Sequence, residues 1–257
     1  MKKEIKFSLV YRDMWQSSGK YVPTADQLKE VAPAIIDMGC FDRVETNGGA
    51  FEQVNLMAGE NPNKAVRRFT KYFNEAGIQT HMLDRALNGL RMFPVPADVR
   101  RLMYKVKKAQ GVDITRIFCG LNDARNIIPS IKYALEAGMI PQATLCITSS
   151  PVHTVEYYSN LADELIAAGA TEICLKDMAG IGRPAFLGRL TKSIKEKHWY
   201  SQHYLDVIDL KNISLHDVPV DEGLDVIPRY AKRVLVEHDR EAERMFRDRG
   251  QRREIVF

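Results

Sequence analysis

The stretch ITRIFCGLNDARNIIPSIKYALEAGMIPQATLCIT, residues 114–148, decides the fold class of this chain. Its apolar run at 114–119 predicts a buried strand, the amphipathic segment at 123–137 predicts a helix, and the run at 142–148 predicts a second strand. Gly138 supplies the stop of the helix, as glycine often does just past a helix end. Two strands joined by one helix over this length are typical of a βαβ unit, in which both strands belong to one parallel sheet.

The same alternation of short apolar runs and longer amphipathic segments extends along most of the chain. Thr24 and Asp26 can cap its first helix. Repeated strand–helix units of about thirty residues predict an α/β fold of the TIM (β/α)8 barrel type. Six units are recognisable, fewer than a closed barrel needs, with strands at 5–10, 41–45, 78–83, 114–119, 142–148 and 172–175 and helices at 24–38, 63–76, 96–109, 123–137, 151–168 and 184–197.

The remaining residues, 199–257, follow a different pattern from residues 1–198, the predicted barrel domain. YLDVIDL at 204–210 predicts one more strand, whereas the segment at 213–220 contains Pro219 and suits a loop or an edge strand. Charged residues around scattered apolar ones predict a partly helical tail beyond that point. We therefore expect a barrel that is incomplete or atypically closed, followed by a divergent C-terminal segment.

Composition indicates an ordinary globular protein of 257 residues, with 45% hydrophobic and 27% charged residues. The net charge of +4 is too small to predict nucleic-acid binding, and no apolar run is long enough for a transmembrane helix. Because no signal peptide is visible at the start either, we expect a cytoplasmic protein. The cysteines lie far apart without a CxxC spacing, which favours reduced thiols over a zinc site, and they are Cys40, Cys119, Cys146 and Cys174.

Ionisable side chains follow three of the predicted strands at their carboxyl ends, where the reactive groups of a parallel barrel lie. Asp13 follows the first strand and is either a ligand for a hard cation or a turn acid, and Gln16 is placed to hydrogen-bond a substrate. Arg85 follows the third strand, where a planar guanidinium suits a small carboxylate. Lys176 ends the sixth, and a lysine behind a buried strand is desolvated, which lowers its pKa and frees its amine for covalent chemistry.

Ordinary ion pairs are the alternative explanation for both cationic residues. Arg85 could pair with Asp84 or Glu45, and Lys176 could pair with Asp177 or another acid. Each residue alone is a weak indicator of function. Their conjunction with an acid at the ends of three strands favours an active site at the mouth of the barrel.

Six sequence motifs, found in one order along residues 5–198, resemble those of a single protein family: FSLVYRDMWQS (7–17), VETNGGAFEQV (44–54), ENPNKAVRRF (60–69), RIFCGLNDARN (116–126), SPVHTVEYY (150–158) and ICLKDMAGIGRP (173–184). That family is the carboxyltransferase domain of pyruvate carboxylase and of oxaloacetate decarboxylase alpha subunits, an HMG-CoA-lyase-like TIM barrel. The resemblance ends at about residue 198, because residues 199–257 do not continue the family's pattern.

The resemblance implies a divalent metal, zinc or manganese, at the mouth of the barrel. Asp13 matches a metal ligand, and Lys176 matches a lysine that CO₂ carboxylates, after which the carbamate binds the metal. Arg85 matches the arginine that binds the carboxylate of pyruvate or oxaloacetate, and Gln16 matches a glutamine of the same site. Lys176 and Gln16 are therefore the expected catalytic residues.

The reaction implied by the resemblance moves a carboxyl group between oxaloacetate, or pyruvate, and biotin. Biotin is expected on a separate biotin carboxyl carrier protein, because no lysine of this chain has the Met-Lys-Met context of a carrier domain. A second copy of the chain is a further expected partner, since barrels of this family dimerise. An oxaloacetate decarboxylase would add membrane-bound partner subunits.

Part of the family's site has no match in the last quarter of the chain. The family carries an HxH pair of metal ligands on its seventh strand and a proton-shuttling threonine on its eighth, whereas His198, His203 and His216 form no such pair. The sequence therefore predicts weakened metal binding. It leaves an alternative open, a catalytically impaired, truncated or rearranged family member that acts at most as a structural subunit. A third alternative, an aldolase or acyl-condensing lyase, fits KDMAG (176–180) less well.

Overall fold

The computed structural model describes residues 6–12, 23–198, 204–208 and 213–216 of the chain. Strands and helices alternate along them, as the periodicity of the sequence predicts. The described strands are β1 (Lys6–Leu9), β2 (Phe41–Gly48), β3 (Gln79–Asp84), β4 (Ile114–Ile117), β5 (Ile140–Cys146), β6 (Glu172–Lys176), β7 (Tyr204–Ile208) and β8 (Ile213–His216). The described helices are α1 (Ala25–Asp37), α2 (Gly49–Met57), α3 (Pro62–Glu75), α4 (Ala97–Ala109), α5 (Ala124–Glu136), α6 (Val155–Ala167) and α7 (Pro184–Lys197), with a 3₁₀ turn at Ala86–Asn88.

These strands form one closed barrel in the order in which they occur along the chain. Neighbours from β1 to β7 are parallel, whereas β8 runs antiparallel to both β7 and β1. His216 on β8 pairs in register with Asp206 of β7 and with Lys6 of β1. The α/β barrel is therefore confirmed, and it closes atypically through its last strand. The barrel also extends past residue 198, where the family motifs end.

The expectation of a loop or an edge strand at 213–220 is wrong for Ile213–His216, which is paired on both sides. The direction of β8 follows from the connection that leads to it. A parallel strand needs a crossover of a dozen or more residues, usually a helix, and the segment 209–212 is too short for one. Because β8 pairs with β1 as well as with β7, the first strand of the barrel has no open edge.

Four of the described helices, α1, α3, α5 and α6, start at a polar side chain that accepts a hydrogen bond from a backbone N–H of the first turn. Thr24 and Gln27 form a capping box at the start of α1, which confirms the predicted cap at Thr24. Thr154 accepts a backbone hydrogen bond at 3.1 Å and starts α6 at Val155 rather than at the predicted residue 151. The sequence periodicity also missed α2 and the 3₁₀ turn, which begin directly after strand ends.

The barrel interior is polar at the end where the strands begin. Arg43 on β2 forms a bidentate ion pair with Glu172 on β6, with N···O distances of 2.7 and 2.8 Å. Gln142 on β5 donates to the same carboxylate at 2.8 Å and accepts from Arg116 on β4 at 2.5 Å. All four side chains are buried. Since an unpaired charge would be costly there, the network favours one register of these strands.

Apolar side chains fill the layer between the barrel and the helices, with Phe69 of α3 and Ile127 of α5 among those wholly buried. All four cysteines are free thiols, and all but Cys40 are buried, in agreement with the prediction of reduced cysteines. Within the described ranges, none of the helices has the length and apolar character that crossing a membrane requires.

Candidate active site at the barrel mouth

Glu45 on β2 is the centre of a buried charge cluster inside the barrel. Arg12, which follows β1, forms an ion pair with one oxygen of its carboxylate, and Arg116 Nη1 lies 3.1 Å from the other. His81 Nδ1 lies 3.4 Å from that second oxygen, and its Nε2 lies 3.0 Å from Ser8 Oγ. Burial alone would raise the pKa of Glu45, but the charge of Arg12, the imidazole and the charge of Arg116 together hold it well below its ordinary value.

Gly48 and Gly49, where β2 meets α2, make room for two arginine side chains. A Cβ on Gly48 would lie 2.7 Å from Cδ of Arg12, and one on Gly49 would lie 2.5 Å from Nη1 of Arg85. Real Cβ atoms do not come so close to other heavy atoms, so any larger residue would displace an arginine. The NGG sequence at 47–49 therefore allows Arg12 and Arg85 to share this part of the mouth.

Arg85 directly follows β3 and is half-buried. Its Nη1 donates to the carbonyl of Arg91 at 3.1 Å, and it pairs with no carboxylate of the described residues. The alternative explanation, an ion pair with Asp84 or Glu45, is therefore wrong. Burial lowers the pKa of Arg85, and the positive charge of Arg12 acts in the same direction. A guanidinium in this position is suited to bind an incoming carboxylate.

Lys176 ends β6 and forms no ion pair with the described residues. Its Nζ lies 4.1 Å from the centre of the Phe118 ring. The alternative partner, Asp177, instead accepts two backbone N–H groups of the following loop at 3.0 and 2.7 Å. Burial lowers the pKa of Lys176, and this effect exceeds the opposing ones of Cys146 and Glu45. Lys176 is therefore a desolvated amine, as its position behind a buried strand predicts.

Asn122 joins the loop after β4 to the end of β5. Its Nδ2 donates to the carbonyl of Cys146, and its Oδ1 accepts from the N–H of the same residue, both at 2.8 Å. Its φ of 53° lies in the left-handed region, which asparagine adopts more readily than most residues. Burial raises the pKa of Cys146 to about 11, so this residue is a protonated thiol at neutral pH rather than a nucleophile.

The structure describes two of the four predicted site residues, Arg85 and Lys176. Each lies at the carboxyl end of its strand, as the barrel rule requires. Asp13, Gln16 and His203 lie outside the described residues. Their roles therefore stay predictions from the sequence motifs.

Sequence reasoning missed the charge cluster of Arg12, Glu45 and Arg116. A signal for it does exist, because Glu45 in VET (44–46) and Arg116 in TRI (115–117) are charged residues within segments that the sequence predicts as strands of the barrel. Charged residues are almost never fully buried unless they are paired. Such residues in buried strands therefore indicate ion pairs across a barrel, although they do not say which residues pair.

The described residues do not assemble a metal centre. No group of three or more His, Cys, Asp or Glu side chains among them could hold an ion. On the seventh strand, where the family resemblance implies two histidines, Asp206 and Ile208 stand in register with Cys174 and Lys176. Imidazole is the ligand that a tightly held transition metal would need beside oxygen donors. Within the described ranges, the ends of β6 and β7 offer no imidazole for such an ion, and no reaction step is assigned to a metal.

The chain is similar in sequence to carboxylase and carboxyltransferase subunits of two microorganisms. It is 32% identical over 187 residues to a pyruvate carboxylase subunit of Methanocaldococcus jannaschii, a match that covers 73% of this chain and 33% of that protein. It is also 32% identical over 226 residues to the methylmalonyl-CoA carboxyltransferase 5S subunit of Propionibacterium freudenreichii subsp. shermanii, which covers 85% of this chain and 44% of that protein. The chain therefore spans between a third and a half of the length of these relatives.

Solved structures with a similar fold come from one domain of a bacterial enzyme. The carboxyl transferase domain of Rhizobium etli pyruvate carboxylase with pyruvate superposes with a TM-score of 0.65 at 27% identity, over 74% of this chain and 33% of that one. The same domain with 3-bromopyruvate gives a TM-score of 0.68 at 26% identity, again over 74% and 33%. No protein-family model matches the chain.

Proposed function

Because the chain belongs to the carboxyltransferase-domain family of pyruvate carboxylase, we propose that it is the carboxyltransferase component of a biotin-dependent oxaloacetate decarboxylase or pyruvate carboxylase. It moves a carboxyl group between oxaloacetate and biotin, which a separate carrier protein delivers. The names of the relatives and the pyruvate held by the Rhizobium etli domain support this class of reaction. The direction of transfer depends on the partner proteins, since both systems share this half-reaction.

The observation that carries the proposal is the guanidinium of Arg85 at the mouth of the barrel. It has no carboxylate partner in the described part of the chain, and Gly49 provides the space that it occupies. A guanidinium offers two parallel N–H donors to a carboxylate. Pyruvate and oxaloacetate both carry a carboxylate beside a ketone, and Arg85 holds that end. Its charge, with that of the nearby Arg12, stabilises the enolate left when the second carboxyl group of oxaloacetate departs.

Lys176, Asp13 and Gln16 complete the proposed site. Only a neutral amine can add CO₂, with a proton released as the N–C bond forms, and burial favours the neutral form of Lys176. On the motif match alone, we propose Asp13 and the carbamate form of Lys176 as ligands of a divalent metal, zinc or manganese. Gln16 is proposed on the same ground as a ligand of the substrate.

Replacing the carboxylate-binding arginine tests this function. We expect the purified chain to bind pyruvate in isothermal titration calorimetry and to decarboxylate oxaloacetate when free biotin is added. Arg85→Ala should weaken pyruvate binding by roughly 10- to 100-fold, because a charge-assisted hydrogen bond contributes about 1.5–3 kcal/mol. Arg101→Ala is the matched control, since Arg101 pairs with Glu136 on the outer helices and should leave the affinity unchanged. Equal affinity of Arg85→Ala and wild type would refute the substrate assignment.

A second candidate function is that of a structural subunit without catalysis. The observation that favours it is the end of the barrel, where β7 carries no histidine and the antiparallel β8 replaces an eighth βα unit. Metal analysis and the oxaloacetate assay on one preparation distinguish the two candidates. Stoichiometric zinc or manganese with turnover supports the enzyme. A folded chain with neither supports the structural subunit.

A further inference from the structure

Asp84 connects the Arg85 part of the site to the Lys176 part. It is the last residue of β3, it is wholly buried, and Arg85 follows it directly. Its backbone carbonyl accepts a hydrogen bond from Phe118 N at 2.9 Å, and the Phe118 ring is the one that packs against Lys176 Nζ. A shift of Asp84 would therefore reach both cationic residues of the mouth.

The carboxylate of Asp84 is held from the helix layer and from the next strand. The Tyr104 hydroxyl on α4 donates to Oδ2, and Thr115 Oγ1 on β4 donates to the same oxygen at 3.3 Å. Both partners are wholly buried. Burial raises the pKa of Asp84 to about 6, although these two hydrogen bonds, the Ala86 backbone N–H and the charge of Arg100 all act in the opposite direction.

The turn after Arg85 depends on its neighbours because its backbone is strained. Ala86 has a φ of 48°, in the left-handed region that costs a non-glycine residue about 1–2 kcal/mol. Arg85 N donates to the carbonyl of Gly89 at 2.9 Å, which closes the turn, and Arg100 Nη1 lies 3.5 Å from the Ala86 carbonyl. The Ala86 N–H also acts on the Asp84 carboxylate, since it lowers the pKa of that group. Strained turns of this kind persist only where the surroundings hold them.

A carboxyl group at this position needs a reason beyond packing. Most side chains buried between the strands and the helices are apolar or carry only a hydroxyl, and a buried carboxyl costs free energy that a leucine would not. Asp84 and Tyr104 together use two buried polar groups to fix one turn. That turn carries the arginine that the proposed function requires.

We propose that Asp84, held by Tyr104, is a positioning residue for Arg85. This inference rests on the proposed function, since it concerns a keto acid bound at Arg85. The Tyr104 hydroxyl fixes the Asp84 side chain at the end of β3. Because Asp84 directly precedes Arg85 and the strained Ala86 turn, Arg85 therefore leaves β3 in one direction. Neither Asp84 nor Tyr104 touches the substrate, and both act on its binding through Arg85.

Three variants of the full chain test the positioning role: Tyr104→Phe, Asp84→Leu and Asp84→Asn. Pyruvate affinity is measured by calorimetry well below the unfolding midpoint of each variant. We expect Tyr104→Phe and Asp84→Leu to weaken binding roughly 3- to 10-fold, as the loss of one buried hydrogen bond predicts. Asp84→Asn should retain most of the affinity, because its amide oxygen still accepts from Tyr104.

Ser159→Ala is the matched control for losing a buried hydroxyl. Ser159 Oγ lies 2.8 Å from Ser193 Oγ, between α6 and α7, away from the Arg85 turn. We expect this variant to lose stability and to keep the wild-type affinity for pyruvate. An equal loss of affinity in Ser159→Ala would overturn the positioning role, since any buried hydroxyl would then have the same effect.

Hydrogen exchange without ligand separates this proposal from the proposed function. The amides of residues 84–91 should exchange faster in Tyr104→Phe and Asp84→Leu than in wild type, because the turn opens more often. Unchanged exchange at these amides would overturn the positioning role whether or not pyruvate binds. A wild-type chain that binds no pyruvate would instead overturn the proposed function.

Discussion

The guanidinium of Arg85 occupies the space where a side chain on Gly49 would begin, since a Cβ there would lie 2.5 Å from Nη1. Gly49→Ala must therefore move the arginine or the backbone beside it. Overpacking of this kind costs roughly 1–3 kcal/mol, and we expect pyruvate affinity to fall at least about fivefold. Calorimetry with pyruvate measures this loss, and thermal unfolding measures the accompanying change in stability.

Gly120→Ala is the control for that substitution. Gly120 also follows a strand at the mouth, but a Cβ there would meet no heavy atom within 4 Å. We expect its pyruvate affinity to equal that of wild type. If Gly49→Ala bound pyruvate as well as Gly120→Ala does, the close packing of Gly49 against Arg85 would have no part in substrate binding.

Glu45→Gln should be strongly destabilising. The carboxylate lies against two buried guanidinium groups, those of Arg12 and Arg116, and a glutamine removes its negative charge from beside both. Breaking a buried ion pair in this way costs about 3–5 kcal/mol. Urea denaturation at neutral pH measures the loss. Glu136→Gln is the control, because its exposed pair with Arg101 should contribute less than about 1 kcal/mol.

The loss of stability caused by Glu45→Gln should depend on pH with a definite sign. Because the folded protein holds the pKa of Glu45 below its unfolded value of 4.5, its contribution to stability is present above that pH and is lost as the pH falls below it. The difference in unfolding free energy between Glu45→Gln and wild type should therefore shrink towards acid. A difference that is constant from neutral pH down to about pH 3 would contradict the assignment of this charge cluster.

The strand–helix order of this barrel could be predicted because it depends on local patterns. Apolar periodicity and the cap at Thr24 depend on residues a few positions apart, and they fix α1 and its neighbours within a few residues. The direction of β8 could not be predicted in the same way. It depends on the short 209–212 connection and on pairing with β1 at the other end of the chain.

The candidate site could likewise be predicted only in part from the sequence. Arg85 and Lys176 could be found from the sequence, because residues directly after buried strands lie at the mouth of any parallel barrel. The partners of Glu45 could not be found from the sequence. Arg12, Arg116 and other nearby cations were all possible until the strands were placed. Charged residues within buried strands indicate such clusters, and the three-dimensional pairing of the strands decides which residues belong to them.

Lys176→Met should make the protein more stable while it abolishes carboxyl transfer. Burial lowers the pKa of Lys176, so at neutral pH the folded state either holds a desolvated ammonium or loses its proton, and both cost free energy. A methionine removes that cost and still packs against Phe118. We therefore expect a higher free energy of unfolding in urea denaturation than for wild type.

Lys197→Met provides the contrast to that variant. Lys197 is exposed and pairs with Asp163 at 2.9 Å on the outer surface, so its replacement should change stability little and leave activity intact. If Lys176→Met were instead less stable than wild type, the amine would be paired rather than desolvated. Retained oxaloacetate turnover in Lys176→Met would remove this lysine from the proposed site.

Asp84 should make the free energy of unfolding depend on pH with the opposite sign to the dependence that Glu45 causes. Its folded pKa of about 6 lies above its unfolded value of 3.8, so its contribution is fully present below that unfolded value and is lost as the pH rises through about 6. The linked free energy is roughly 3 kcal/mol. Asp84→Asn does not titrate, and urea denaturation should find it gaining stability relative to wild type between about pH 4 and pH 7. Tyr104→Phe keeps the carboxyl group and should keep the pH dependence of stability seen in wild type. If the stability of Asp84→Asn relative to wild type did not change with pH, Asp84 would not be the titrating group.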